Sequence, residues 1–455
     1  MKYLTPQIIA EVTGGKYIGG EGSRNIRVIG AVRDNRDVKP NNLFVCIRGA
    51  RVDGHSFANS AFESGAACCL AERMIHGAGG PYVLVESTLD AIKALGAYYR
   101  GLFTIPFIGI TGSVGKTTLK ELIAATLVAK YRVLKTPMNL NNELGVPLTL
   151  LSLGEHHEAA VIEMGISSFG EMGRLARMVL PDVFVMTKIG YSHTDELGDP
   201  SGVLRAKSEA FAHMRPGGAA ILNGDDDLLW GYDPGMRKIT FGLNKRNDYR
   251  GENVRLEGAD AVVCDIVSDS GRFTVKIPAY GSHLASLAPA AAAVGRLLGL
   301  MDEEIRLGIS SYTPVDGRSN VKNTGLITLI DDCYNANPHS VKAALTSLSA
   351  LPGRHVAILG DMFGLGEKSD GLHHEIGAFA AKCGIGSFIC CGDKMALAYD
   401  SYKTAGGGPA YYYPDKTGLT GALPQLIEKG DAVLVKASHA MRFEEITGFL
   451  LGMQS

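Results

Sequence analysis

The sequence is poor in the features that mark several protein classes. Its eight cysteines are scattered, with Cys68 next to Cys69 and Cys390 next to Cys391, and no C-x-x-C occurs. That argues against both a zinc ribbon and a disulfide framework, and makes the reducing cytosol the expected compartment. No apolar run approaches the ~20 residues of a membrane-spanning helix. Neither sign of charge prevails: 45 Lys and Arg stand against 47 Asp and Glu, a net charge of −2. No electrostatic footprint for nucleic acid or an anionic membrane is therefore visible. The opening residues, MKYLTPQIIAEVTGGKY, lack the charged-then-apolar pattern of a secretory leader. No internal repeat or low-complexity linker stands out. The expectation is a cytoplasmic protein with no nucleic acid partner and no membrane span.

What is present is the α/β rhythm: short apolar runs, each followed by a turn and a helix-like stretch. With 455 residues, 46% of them hydrophobic, the chain can bury a sizeable core, and roughly 100–200 residues per domain predicts two to four domains. Three blocks separate. Residues 1–103 hold NNLFVCIRGA, GAACCLAE and PYVLVES, a small mixed α/β unit closed by the helical pattern STLDAIKALGAYYRGLF. Residues 104–320 hold strand candidates TIPFIGIT, RVLKT, AAVIEMG, DVFVMTKIG and AAILNGDDD, a hairpin around Asp-Ser-Gly in 260–280, and an Ala-rich helix, SLAPAAAAVGRLLGL, ended by glycine. Residues 321–455 alternate LITLIDD, HVAILGDM, SFICCGD, AYYYP and DAVLVKAS with helix-length stretches, as in an open, mostly parallel sheet.

The second block opens with FIGITGSVGKTTLKE. The common phosphate-loop spacing, G-x-x-x-x-G-K-[ST], requires a glycine at position 110, but Ile110 stands there and the glycines fall at 109, 112 and 115. A buried strand running through a glycine turn into a helix still makes an anion site, because free N–H groups and the helix dipole converge on one spot. The predicted nucleotide cradle is Thr111, Gly112, Ser113, Val114, Gly115, Lys116, Thr117 and Thr118, with Lys116 as the mobile cation and the Thr117 hydroxyl as a Mg²⁺ ligand. Mg²⁺ also needs a carboxylate, and Glu163, closing the next strand candidate, AAVIEMG, has the right placement. His193, in the loop after DVFVMT, and Lys207, in a helix with apolar neighbours, have no distinguishing pattern of their own; a structural histidine and a solvated lysine are the plain alternatives.

Several segments then appear in order: TGSVGKTTLKE, TPMNLNNELGVPLTLL, VIEMGISSFGE, SHTDELGDPSGVLRAKSEAF, ILNGDDD, IDDCYNANPHSVKAAL and ILGDMFGLGEKSDGLHHEIG. Together they resemble the Mur ligases of peptidoglycan precursor synthesis, over nearly the whole chain. The most specific pieces, NNELGVPLTLL and DDCYNANP, point to the branch that adds D-alanyl-D-alanine to UDP-N-acetylmuramoyl-tripeptide, and DNRDVKPNNLFVCIRGARVDGHSFANSAFESGAA is similar to that branch's UDP-sugar domain. The odd glycine spacing is the one found in these ligases. The resemblance implies three α/β domains: a UDP-sugar-binding domain, a central P-loop-type ATPase domain and a C-terminal Rossmann-like domain. It also implies ATP and Mg²⁺ and an acyl-phosphate intermediate. By position, Thr117 and Glu163 hold one Mg²⁺, and His193 and a carbamylated Lys207 serve a second. Arg318 and Asp332 reach the nucleotide. Asn141, Asn142 and Asn335 face the substrate and the transferring phosphate, Asp34, Asn35 and Arg36 line the UDP pocket, and Lys436 and Ser438 meet the dipeptide.

Four positions depart from the family pattern. The usual G-x-H-N-x-x-N-A is Gly281-Ser282-His283-Leu284-Ala285-Ser286-Leu287-Ala288, the usual Thr-Asn is Thr187-Lys188, the usual K-G-S-R is Lys436-Ala437-Ser438-His439, and D-[ST]-R is Asp34-Asn35-Arg36. The phosphoryl-transfer residues are retained while the recognition surfaces have drifted. Two other readings follow from this: a relative that joins a different amine, suggested by His439, and a nucleotide-binding module without catalysis, suggested by Leu284 and Leu287.

Overall fold

The computed structural model describes residues 4–49 and 52–453. Three sheets with flanking helices make an α/β protein. The first sheet runs in the order Lys16–Ile18, Tyr82–Leu84, Cys68–Ala71, Asn42–Val45, Gly30–Val32, parallel except at its first pair. The second has nine strands, in the order Gly271–Ile277, Ala261–Ser268, Tyr249–Glu257, Arg237–Gly242, Ala219–Asn223, Val183–Met186, Phe107–Thr111, Ala159–Glu163, Val133–Lys135. Its pairings from Tyr249–Glu257 onward are parallel, and the two before it are antiparallel. The third sheet is Asn320–Asn323, Thr328–Asp331, Ala432–Lys436, His355–Gly360, Ser387–Cys391, Ala410–Tyr413, parallel except at its first edge.

The central strands Phe107–Thr111, Ala159–Glu163, Val183–Met186 and Ala219–Asn223 are buried along their whole length. Continuous apolar runs are what a sheet covered on both faces requires. On one face lie the helices Lys116–Val128 and Leu284–Leu297. On the other lie Thr88–Gly101 and Glu171–Val179, within a core that is continuous with the first sheet. Helix Thr88–Gly101 rivets the two sheets together. Its Tyr99 hydroxyl donates to the Leu153 carbonyl (2.9 Å), and its Arg100 donates to the carbonyls of Val179 (2.6 Å), Leu180 and Phe103 (3.0 Å each) while its guanidinium lies 3.8 Å from the centre of the Phe107 ring. The third sheet has separate cores on its two faces.

The hairpin falls where the alternation predicts, at Ala261–Ser268 and Gly271–Ile277. The Ala-rich helix starts earlier than its composition suggests, at Leu284, and runs through Pro289. Two strands of the first sheet, Lys16–Ile18 and Gly30–Val32, are too short to be read from sequence, and three others carry too few apolar residues: Arg237–Gly242, Tyr249–Glu257 and Asn320–Asn323. The middle one is mostly solvated and laced by ion pairs such as Arg250 with Glu252.

Candidate active site at the junction of the three sheets

The phosphate loop leaves the sheet at Thr111, whose buried hydroxyl donates to the Met164 carbonyl at 2.7 Å and so ties the loop to the turn after Glu163. Gly112 has φ +146°, and a Cβ there would lie 2.0 Å from Thr187 Oγ1; Gly115 has φ +82°. Both positions need glycine. Thr187 donates to the Val114 carbonyl, Ser113 N–H donates to the Lys188 carbonyl at 2.7 Å, and Ser113 Oγ donates to the Gly190 carbonyl at 3.1 Å. The loop is thus preformed by the segment that follows the neighbouring strand. No side chain caps helix Lys116–Val128 at Gly115, which leaves its first N–H groups open to an anion.

The loop forms the floor of a cleft of about 1160 Å³ to which all three sheets contribute. Gly112 to Thr118, Asn141, Asn142, Glu163, His193, Lys207, Arg318, Asp332, Asn335, Lys436 and Ser438 all line it. Thr111 does not; it lies buried beneath. Asp34, Asn35 and Arg36 also lie outside this lining, on a short 3₁₀ turn in which Arg36 pairs with Asp34 (2.6 Å) and Asn35 reaches Ser60 (3.2 Å). The first block instead presents Arg48 and Glu72, just past its strands, and Thr88, at the start of helix Thr88–Gly101, to the cleft.

Within the cleft, Thr117 Oγ1 donates to one Glu163 oxygen (2.9 Å) and Asn141 Nδ2 to the other (2.8 Å), so three predicted residues form one cluster. Lys116 Nζ rests on the Gly112 carbonyl at 2.8 Å. Burial and Arg318 lower its pKa, against the pull of Glu163. Lys207 is 2% exposed. Among the described residues no hydrogen bond or ion pair holds its amine, and burial followed by the Lys116 charge pushes its pKa well below the ordinary lysine value, opposed by Glu171. His193 is pushed down by burial, Lys207 and Lys116. Asp332 and Lys436 bond each other (2.6 Å), and Lys436 also donates to the Asn335 carbonyl at 2.8 Å.

Sequence reasoning missed two acidic residues here. Glu171, in the first turn of Glu171–Val179, faces His193 and Lys207 electrostatically and is itself held by Ser167 N–H (2.8 Å) and Ser168 Oγ (2.9 Å). Glu209 accepts from Gly170 N (2.8 Å) and Gly173 N (3.0 Å), fastening the segment that carries Lys207 to that same helix. A Glu in a helix's first turn was the available signal for Glu171. The departures also acquire positions. Leu284 and Leu287 belong to the apolar core, and a Cβ built on Gly115 would sit 3.7 Å from Leu287 Cδ1. His439 lies tilted against Tyr334 (centroids 5.0 Å apart, rings at 30°), over which Arg318 lies at 4.0 Å.

Residues 29–99 match the Mur ligase family catalytic domain, 110–295 the Mur ligase middle domain and 317–439 the Mur ligase glutamate ligase domain. A Bacillus subtilis protein named UDP-N-acetylmuramoyl-tripeptide--D-alanyl-D-alanine ligase is 35% identical over 98% of both chains. The chain belongs to the Mur ligase family. Among solved structures, MurF from Acinetobacter baumannii superposes with a TM-score of 0.88 at 29% identity, covering 99% of each chain. The MurF ligase from Thermotoga maritima, in complex with ADP, does so with 0.80 at 29% identity, covering 93% of this chain and 97% of that one. Both Mur ligase structures extend over all three sheets.

Among the described residues no three His, Cys, Asp or Glu side chains converge as a metal cage. The donor set nonetheless fits Mg²⁺, which keeps water and takes one or two carboxylates together with substrate phosphates. Thr117 and Glu163 supply a hydroxyl and a carboxylate on one spot beside the open helix N-terminus. No helix among the described residues is long and apolar enough to cross a membrane.

Proposed function

We propose that this protein is an ATP-dependent ligase that joins D-alanyl-D-alanine to UDP-N-acetylmuramoyl-tripeptide in the cytoplasm, acting as a monomer on small-molecule substrates and releasing ADP and phosphate. The observation that carries the reading is the amine of Lys207, buried and, among the described residues, without a hydrogen-bond or ion-pair partner in the cleft that also holds the phosphate loop. The full-length likeness to ligases of that name selects the substrates.

A carboxylate is a poor electrophile because oxide is a poor leaving group. Transfer of the ATP γ-phosphoryl to the terminal carboxylate oxygen forms an acyl phosphate and ADP. Attack by the dipeptide amine gives a tetrahedral adduct, which loses phosphate and a proton to leave the amide. The N–H groups of Gly112 and of Val114 to Thr118 cradle the phosphates, while that of Ser113 stays on the Lys188 carbonyl. Lys116 leaves the Gly112 carbonyl to meet the transferring phosphoryl, worth two to three orders of magnitude in rate by analogy with other preorganised donors. Asn141 orients Glu163 and the acceptor carboxylate. Arg318 and Asp332 take the nucleotide, and Asn142, Asn335, Lys436 and Ser438 take the peptide substrates. Asp34, Asn35 and Arg36 take the uridine nucleotide on the outer part of the first domain.

Bound Mg²⁺ would neutralise charge developing on the phosphoryl oxygens. Thr117 and Glu163 would hold one ion, and His193 and Lys207 a second. Lys207 fits that role as a carbamate: a neutral amine adds CO₂ and loses a proton, and the low pKa of Lys207 favours that neutral form. The domain limits that suit this division of labour are 1–103, 104–320 and 321–455.

Purified protein given ATP, Mg²⁺, UDP-muramoyl-tripeptide and D-Ala-D-Ala should release phosphate only when both peptide substrates are present. Release with a different amine alone would favour the reading suggested by His439, and nucleotide binding without turnover would favour a non-catalytic module.

A further inference from the structure

His193 and Lys207 lie on adjoining turns but are anchored to different domains. Lys207 sits in helix Pro200–Ser208, capped by Asp199, and the following Glu209 fastens it to Glu171–Val179 of the central domain. His193 adopts a left-handed backbone, φ +55°, and starts the short helix Thr194–Leu197, its carbonyl accepting from Glu196 N (3.2 Å) and Leu197 N (2.9 Å). The next residue reaches across to the third domain. Thr194 N and Thr194 Oγ1 both donate to the Gly364 carbonyl, each at 3.2 Å. That carbonyl is a fixed point. Met362 N is held by His373 Nε2 (3.0 Å), Phe363 N by Ser438 Oγ (2.8 Å), and Gly364 itself turns at φ +72°. Beside this contact, Lys368 Nζ donates to the Tyr191 hydroxyl at 3.3 Å and lies over the Tyr191 ring.

The first N–H of a helix is ordinarily left to water. Here it and the adjacent hydroxyl meet on one carbonyl of another domain, at a buried residue directly next to a proposed metal ligand. We propose that Thr194 is a positioning residue that clasps Gly364 when the third domain docks, and that this clasp sets His193 opposite Lys207. Docking then completes the second cation position, and an undocked third domain leaves His193 free of it. The inference rests on the proposed ligase reading for the role of His193, and on the geometry alone for the clasp.

The test uses Mn²⁺ titrated into the full-length protein with AMP-PNP, a non-hydrolysable ATP analogue, and read by electron paramagnetic resonance. Thr194→Val keeps the shape and removes the hydroxyl donor; its half-saturating Mn²⁺ at the weaker position should rise about three- to tenfold, the usual effect of one lost hydrogen bond. Thr194→Ser keeps the donor and should bind Mn²⁺ as the parent does. In turnover, Thr194→Val should need more Mg²⁺ for half-maximal rate, recover kcat in excess Mg²⁺, and keep its KM for ATP. Circular dichroism melting checks that both variants fold. Mn²⁺ binding by Thr194→Val equal to the parent's, or by Thr194→Ser as weak as by Thr194→Val, overturns the clasp. A parent protein that releases phosphate with no amine overturns the ligase reading but leaves the Mn²⁺ comparison intact.

Discussion

Lys207 occupies a place that penalises its ammonium form, because burial removes water and Lys116 adds a like charge. A surface lysine near pKa ~10.4 is almost wholly protonated at neutral pH, whereas this one is biased toward the amine that CO₂ requires. Lys207→Ala should therefore lose at least about a hundredfold in kcat, the scale of a removed electrostatic group, and recover part of it with high bicarbonate or a short carboxylic acid. A Lys207→Ala enzyme as active as its parent would rule out a carbamate. Lys116 differs in that its ammonium already has a resting acceptor, the Gly112 carbonyl, from which it can swing to a phosphate. Lys116→Ala should slow phosphate release by about two to three orders of magnitude and leave the circular dichroism spectrum and melting curve close to the parent's; activity equal to the parent's would remove Lys116 from the phosphate site.

The turn from strand Phe107–Thr111 into helix Lys116–Val128 is the element on which nucleotide binding depends, and its shape is enforced by contact rather than by glycine content alone. Gly112→Ala must place a methyl into Thr187 Oγ1 at a backbone angle that L residues rarely adopt, costing about 1–3 kcal/mol in strain. It should lower the melting temperature and abolish ADP binding by calorimetry. Gly421, inside helix Lys416–Leu426 with nothing within 4 Å of a built Cβ, is the contrasting case. Gly421→Ala should stabilise by about 0.5–1 kcal/mol in denaturant titration. The same element shows what a sequence can disclose. The buried strand, the glycines and Lys116 are adjacent in the chain, so their joint purpose is legible, and Glu163 follows from lying at the end of the next buried strand. His193 and Lys207 draw meaning only from being brought beside that loop, and it was family resemblance, not local pattern, that singled them out. Glu171 stayed unread because its relation to Lys207 is electrostatic and runs across two helices. The strand Tyr249–Glu257 was hidden because a solvated strand held by ion pairs has no apolar period to detect.

Across the whole molecule the two inter-sheet junctions differ in kind. The first and central sheets share one continuous apolar core, riveted by Tyr99 and Arg100, whereas the third carries its own cores and meets the central one partly through polar contacts: Thr194 with Gly364, Lys368 with Tyr191, and Tyr280 donating to the Ser347 carbonyl at 2.7 Å. A shared apolar core makes neighbouring units unfold together, while a polar seam lets them part. Calorimetry should therefore resolve two transitions, the first and central sheets melting as one and the third separately. AMP-PNP with Mg²⁺, bridging Lys116 and Arg318 on one side and Asp332 on the other, should raise the first of the two transitions by about 2.7 kcal/mol at a hundredfold excess over Kd, because melting of either side releases it. The third domain's transition should also depend on acid. His373 is buried with Nε2 accepting from Met362 N–H and Nδ1 bonded to the Ser369 carbonyl, an arrangement that needs the neutral ring, and burial holds its pKa below the ordinary histidine value. A depressed folded pKa means that the stabilisation is complete above the unfolded value of ~6.5 and drains away as pH falls through the folded one. Melting of the third domain should accordingly drop between neutral pH and pH ~5, and His373→Gln should start lower and drop less. A parent transition independent of pH across that window would mean that His373 does not hold the 362–364 loop through its neutral form.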